Sequence, residues 1–172
     1  SKNEGIIHFK LEYPFIDTSQ TLLQSVAPRK LDFYIKDHKF TSKISRGKLF
    51  CMLMIGKPLD DQLSLGLEFG TENIMTTLTS EEIKHFRDHQ PRLTFEHTEE
   101  TKTMAGFLCK KSIATYQTDS TKRSFDVWYT EEIQLKNCNW FTPYNEINGM
   151  LMDYEFEQYG LRMHIIAQSF EQ

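Results

Sequence analysis

Scarcity narrows this chain before any motif is read. It carries three cysteines, five prolines and eight glycines in 172 residues. Cys51, Cys109 and Cys138 allow at most one intramolecular disulfide and leave one thiol over, unlike the even framework of a stapled secreted domain. The glycines are dispersed singly, so a phosphate-cradling loop and a dinucleotide fingerprint are both missing. The longest apolar run, Leu49-Phe50-Cys51-Met52-Leu53-Met54-Ile55, is far short of the about 20 residues a membrane helix needs, and no transmembrane span is expected. No charged n-region followed by an apolar h-region opens the sequence; composition does not choose between a chain that never had a signal peptide and one that has lost it. Clustered basic residues are equally scarce. With a formal net charge of -4, and Lys110-Lys111 and Lys122-Arg123 as the basic doublets of the second half, no phosphate-neutralising surface and no nucleic-acid partner are expected.

Catalytic spacings are missing too. There is no serine-hydrolase elbow. Cys109 follows Phe107 and Leu108, and Cys51 lies in the greasiest run, so both read as small buried hydrophobes without the base a nucleophile needs. Cys138 lies in a loop beside Asn137 and Asn139, where a pairing with Cys109 and a free thiol are both open. His85 and His89 share one face of a predicted helix at the spacing of a two-histidine metal clip. The glutamate of the protease pattern is absent after His85, a third ligand would have to come from His97 or Asp88, and a solvent-facing pair is the plainer reading. Glu81-Glu82, Glu99-Glu100 and Glu131-Glu132 fall at turns or a helix start, where solvation and the helix dipole account for them. A non-enzymatic protein with no catalytic residue, no metal and no cofactor is expected.

What is present is alternation. Residues 6–13 place Ile7, Phe9, Leu11 and Tyr13 on one face and His8, Lys10 and Glu12 on the other, a half-buried strand. Asp17-Thr18-Ser19 offers N-cap oxygens to a short helix through Leu22, Leu23 and Val26 that stops near Pro28. Strands follow at 31–35 and 40–45 across Lys36-Asp37-His38-Lys39, then at 49–55 and 63–69. Thr79 with Glu82 three residues on is a capping box, and Ile83 and Phe86 give one apolar stripe to a helix over 79–90 that Pro91 ends. Leu93, Phe95 and His97 alternate, Glu99 to Lys102 turns, and a long strand runs over 104–117. Phe125, Val127 and Tyr129 mark the next strand, with a brief one at 132–136. A polar and aromatic loop then spans 137–149, before a hairpin built on Met150, Met152, Tyr154 and Phe156 against Leu161, Met163, Ile165 and Ala167.

No linker, repeat or charge block interrupts the chain, so one domain over 1–172 is predicted, with length enough to hide about 70% of its unfolded surface. The fold class is α+β, mostly β, with about nine to eleven strands and two short helices. A meander with so few helices has to hide one sheet face, and curling round the helices does so while limiting exposed edges.

Four segments then carry a resemblance: Glu4-Gly5-Ile6-Ile7-His8-Phe9, Ala105-Gly106-Phe107-Leu108-Cys109-Lys110-Lys111, Val127-Trp128-Tyr129-Thr130-Glu131-Glu132-Ile133 and Gly149-Met150-Leu151. In this order, over essentially the whole chain, they resemble a bacterial secreted family of unknown function grouped by fold with the periplasmic lipoprotein-carrier (LolA-like) half-barrels. Asn148 departs from the proline that relatives often have before the glycine. The resemblance implies a curved antiparallel half-barrel around short helices, and export to the periplasm or outer membrane with loss of a signal peptide or lipoprotein anchor. It brings no catalytic residue.

On that fold the methionines and aromatics suggest a soft apolar lining. Phe50, Met52, Met54, Ile83, Phe86, Trp140, Met150 and Met152 are the candidate lining residues. The expected function is a non-enzymatic carrier or binding module for a lipid or lipidated ligand held between sheet and helices. The alternative is a cell-envelope interaction module with a filled core, binding another protein through a sheet edge or the 137–149 loop. Trp140 and Phe141 either gate a cavity, dock a partner or plug the open end.

Overall fold

The computed structural model describes residues 2–14, 25–158 and 161–172. Eleven antiparallel strands form one sheet: β1 (Glu4–Glu12), β2 (Lys30–Lys36), β3 (Lys39–Arg46), β4 (Phe50–Lys57), β5 (Gln62–Phe69), β6 (Glu72–Leu78), β7 (Leu93–Met104), β8 (Phe107–Gln117), β9 (Lys122–Thr130), β10 (Met150–Gln158) and β11 (Leu161–Glu171). A 3₁₀ turn, Pro58–Asp60, joins β4 to β5, and one α-helix, α1 (Ser80–Asp88), joins β6 to β7. The helix predicted to start at Asp17 falls almost wholly in 15–24, outside the described residues, so one α-helix and not two stands among those described. No helix there is long and apolar enough to cross a membrane.

The strand order is β6-β5-β4-β3-β2-β1-β11-β10-β9-β8-β7, so the two outermost strands are the two that α1 connects. In a flat sheet they would lie ten spacings, about 48 Å, apart. A nine-residue helix with a few extended residues spans only about 30 Å, so the sheet has to curve. Curvature is visible elsewhere: Phe107 on β8 and Phe170 on β11, three spacings apart in the order, meet edge to face at 5.0 Å between ring centroids. Bulges at His8/Phe9, His97/Thr101 and Leu151/Asp153 supply the bends. The sheet nevertheless stays open. β6 and β7 do not pair with each other, so the expected half-barrel is not closed; a short helix draws the edges together without bringing them to hydrogen-bonding distance.

Two turns show how local sequence fixes register. Asp37 and His38 both take positive φ, 49° and 61°, as a two-residue hairpin turn with the right-handed strand twist requires. Ala105 and Gly106, at 50° and 85°, do the same between β7 and β8. The turn expected at Glu99–Lys102 is therefore absent. Those residues form the bulged middle of β7, which continues to Met104. The brief strand expected at 132–136 is not formed either; Ile133 makes one isolated parallel bridge to Lys2. A strand the alternation did not reveal, β6, takes up 72–78.

The core lies on the inner face. Ile7, Phe9, Leu31, Phe40, Leu63, Met163 and Ile165 project from the strands, and α1 with the irregular segment 131–149 covers them. Ile83 is the buried residue of α1. Its N-terminus is capped as the sequence implies, with Thr79 Oγ1 accepting from the Glu82 backbone N–H at 3.2 Å. A second cluster, with Val127, Tyr129, Tyr144, Ile147 and Leu151, packs the loop onto β7–β9.

Candidate functional site

The segment 131–149 decides what space remains inside. Asn139 donates from its amide nitrogen to the Ile147 and Gly149 carbonyls at 3.0 and 2.8 Å, closing the loop on itself. Thr142 Oγ1 donates to the Asn139 carbonyl, and the Tyr144 hydroxyl donates to the Glu155 carbonyl on β10. Trp140, Phe141 and Tyr144 are all buried. Phe40 is stacked on Phe33 at 4.7 Å and on Phe141 at 6.0 Å, and meets Trp140 edge on at 6.3 Å. The aromatic loop is thus a plug, which leaves a cavity of about 80 Å³ lined by Phe40, Met54, Phe141, Met150, Tyr154 and Met163 among others.

The eight candidate lining residues separate into four places. Met54 and Met150 line the cavity. Ile83, Trp140 and Met152 are core residues, 1%, 6% and 0% exposed, and do not line it. Phe86 faces an open trough between α1 and the sheet, with Leu65, Leu78 and His85. Phe50 and Met52, both half-buried, lie on the inner face of β4.

That fourth place is the distinctive one. Strand register sets Phe50 against Phe69, Met52 against Leu67, and Leu67 against Ile74. On β5 the same face runs from Leu63, fully buried, to Leu67 at 39% and Phe69 at 64% exposed, as the strand passes out from under α1. Ile74 on the edge strand is 65% exposed. On the opposite face Met75 is half exposed and lies across Gly66 of its partner strand. Scattered apolar residues at a surface need no account; a register-aligned group on one face does.

The strand that ends this surface, β6, is a free edge among the described residues. From Asn73 to Leu78 it carries no charge, no proline and no bulge. The other free edge is guarded: β7 bears Glu96, Glu99, Glu100 and Lys102 and is bulged between His97 and Thr101. The sequence marks Leu67 and Phe69 only as alternating residues of a strand and does not mark Ile74; Gly70-Thr71 between two apolar-rich stretches is the available hairpin signal.

Titratable groups stay local. His8 Nδ1 lies 2.7 Å from Asp32 Oδ1 and its Nε2 3.3 Å from Glu171; the Asp32 hydrogen bond foremost, with Glu171 adding to it, raises its pKa above the ordinary value against the cost of burial. His85 and His89 rings sit 3.8 Å apart, with His89 Nδ1 on the His85 carbonyl. Among the described residues no group of three or more His, Cys, Asp or Glu side chains could hold a metal ion. All three thiols are free. Burial pushes Cys109 up to about 11 and Cys138 up to about 12, so neither is poised as a nucleophile.

Set against protein families, curated proteins and solved structures, the chain matches none.

Proposed function

We propose that this domain is a protein-interaction module that receives a partner on the inner face of β4–β6 and along the free edge of β6. The observation that carries the reading is the apolar face of Phe50, Met52, Leu67, Phe69 and Ile74, which continues past α1 to an uncharged, unpaired strand. An exposed edge is a template for strand addition, in which backbone hydrogen bonds supply affinity and side-chain pockets on either face supply specificity. Natural proteins guard such edges, as β7 is guarded here, so an unguarded one beside an apolar face is accounted for by a partner.

An apolar carrier would need an enclosed site of about 300–1,000 Å³. The plugged interior holds about 80 Å³, and the trough beside α1 is open to water. The resemblance to exported half-barrel proteins adds a compartment to the same proposal, with the partner a cell-envelope protein.

Two measurements test this. Mass spectrometry of organic extracts from protein purified without detergent should find no stoichiometric lipid. A photo-crosslinking residue at position 74, introduced in the native cells, should trap one discrete protein, while the same residue at position 99 on β7 traps none. Stoichiometric lipid, or equal trapping at both edges, would overturn the reading.

A further inference from the structure

The charges around β6 say what kind of segment fits it. This step rests on the interaction reading above and names the partner's chemistry. At one end of the edge stand Glu68 and Glu72; at the other stand Glu81 and Glu82, on the first turn of α1. Among the described residues none of these four carboxylates has an ion-pair partner. Lys84 follows on α1 and offsets one charge, leaving the balance acidic at both ends. Between them run six uncharged residues, Asn73 to Leu78, about 20 Å of extended chain.

A second copy of this chain fits poorly. Antiparallel pairing of two β6 strands brings Glu72 of each copy towards Leu78 and the Glu81-Glu82 pair of the other, like charges at both ends of one ladder. A strand with lysine or arginine at both ends meets opposite charge at both. The middle of such a strand needs apolar side chains on each face, one set against Ile74 and the inner face, the other beside Met75.

We infer that β6 pairs with an extended segment of another protein, about six residues long, apolar in its middle and flanked by basic residues. Because antiparallel and parallel additions both place a basic end at each acidic end, the flanks fix the span of the strand and the ladder fixes its register.

The test pans a displayed library of random dodecapeptides against the whole protein. Two variants serve as counter-targets. Ile74→Lys alters a side chain already 65% exposed, and Met75→Pro removes one edge N–H, since Met75 sits at a non-hydrogen-bonded position of the β5–β6 ladder; thermal melts establish that both fold. Enriched peptides should carry an apolar core between Lys or Arg residues and be lost on both variants. A Glu72→Lys, Glu81→Lys, Glu82→Lys triple variant should bind a basic-flanked peptide about tenfold more weakly, since three exposed pairs are reversed. It should also select acidic flanks in its own panning. Peptides lost on both variants but without basic flanks would leave the interaction reading standing and overturn this inference. No enrichment over the variants would overturn both. Sedimentation velocity completes the test: a concentration-dependent dimer abolished by Ile74→Lys would make a second copy the occupant and overturn the partner assigned here.

Discussion

Trp140 donates its indole N–H to the Asp61 carboxylate at 2.8 Å, joining positions 79 residues apart. The same residue's carbonyl accepts from Arg87 Nη1 at 3.0 Å. One side chain and one carbonyl thus fasten the 131–149 segment both to the end of α1 and to the β4–β5 connection. Trp140→Phe keeps most of the packing and removes the hydrogen bond, and should cost about 1–2 kcal/mol. Trp140→Ala empties the contact with Phe40 and Phe141 and should cost about 3–5 kcal/mol. Urea unfolding followed at one wavelength for both variants checks the pair. A cost below about 1 kcal/mol for the alanine would mean that the plug is not part of the cooperative core.

Gly56 faces Phe40 across the β3–β4 ladder, and a Cβ there would be driven into the Phe40 ring. That ring cannot swing aside freely, because Phe33 and Phe141 stack on it. Gly56→Ala should therefore destabilise by about 1–3 kcal/mol, against the usual gain from replacing a strand glycine. Combining it with Phe40→Leu should recover part of the loss. An additive double variant would locate the strain elsewhere.

These positions also show why the sequence was readable in some places and mute in others. β1, β2, β8 and the helix were legible because half-burial writes itself as alternation and because Thr79 and Glu82 form a cap that the chain uses. β6 was not legible. As an exposed edge it has no buried face to impose a period, and Ile74-Met75 and Thr76-Thr77 place like residues side by side. Glu99-Glu100-Thr101-Lys102 imitated a turn because edge protection and turns use the same charged residues; the true turn, at Ala105-Gly106, shows only a glycine. Of the candidate site, Phe50 and Met52 were found as part of a greasy strand. That the neighbouring face runs from a buried Leu63 to an exposed Phe69 depends on packing, and only the structure reports it.

The thiols give a direct check on burial. Cys51 is partly accessible, whereas Cys109 and Cys138 are buried and raised to about 11 and about 12. Ellman's reagent at pH 8 should label one thiol of the native protein within minutes and all three in guanidinium without reductant. One reactive thiol in guanidinium would mean that two of the three are joined as a disulfide.

His8 links stability to pH. Its pKa is raised in the folded state by the Asp32 hydrogen bond first, with Glu171 adding to it, so the folded protein holds this proton more tightly than the unfolded chain does. The contribution is present in full below about 6.5 and is lost as the pH rises through the raised folded-state value. Because the pair is partly exposed, the effect stays below about 1 kcal/mol. His8→Gln should flatten the stability profile between pH 6 and 8. A wild-type profile that rises over this range and is unchanged in the variant would assign the titration to other groups.

Met75 separates folding from association at the edge. It is 53% exposed on the outer face of β6 and contributes little to the core, so Met75→Lys should change stability by no more than about 0.5 kcal/mol. A lysine at that position also supplies the charge that the edge lacks, and charged edge residues block strand-to-strand aggregation. The variant should lengthen the lag of thioflavin-positive aggregation at 37 °C, while Thr103→Lys on the already charged β7 leaves it unchanged. If the two substitutions delayed aggregation equally, net charge alone would be the cause; a delay confined to Met75→Lys identifies β6 as the strand through which this domain pairs with other chains.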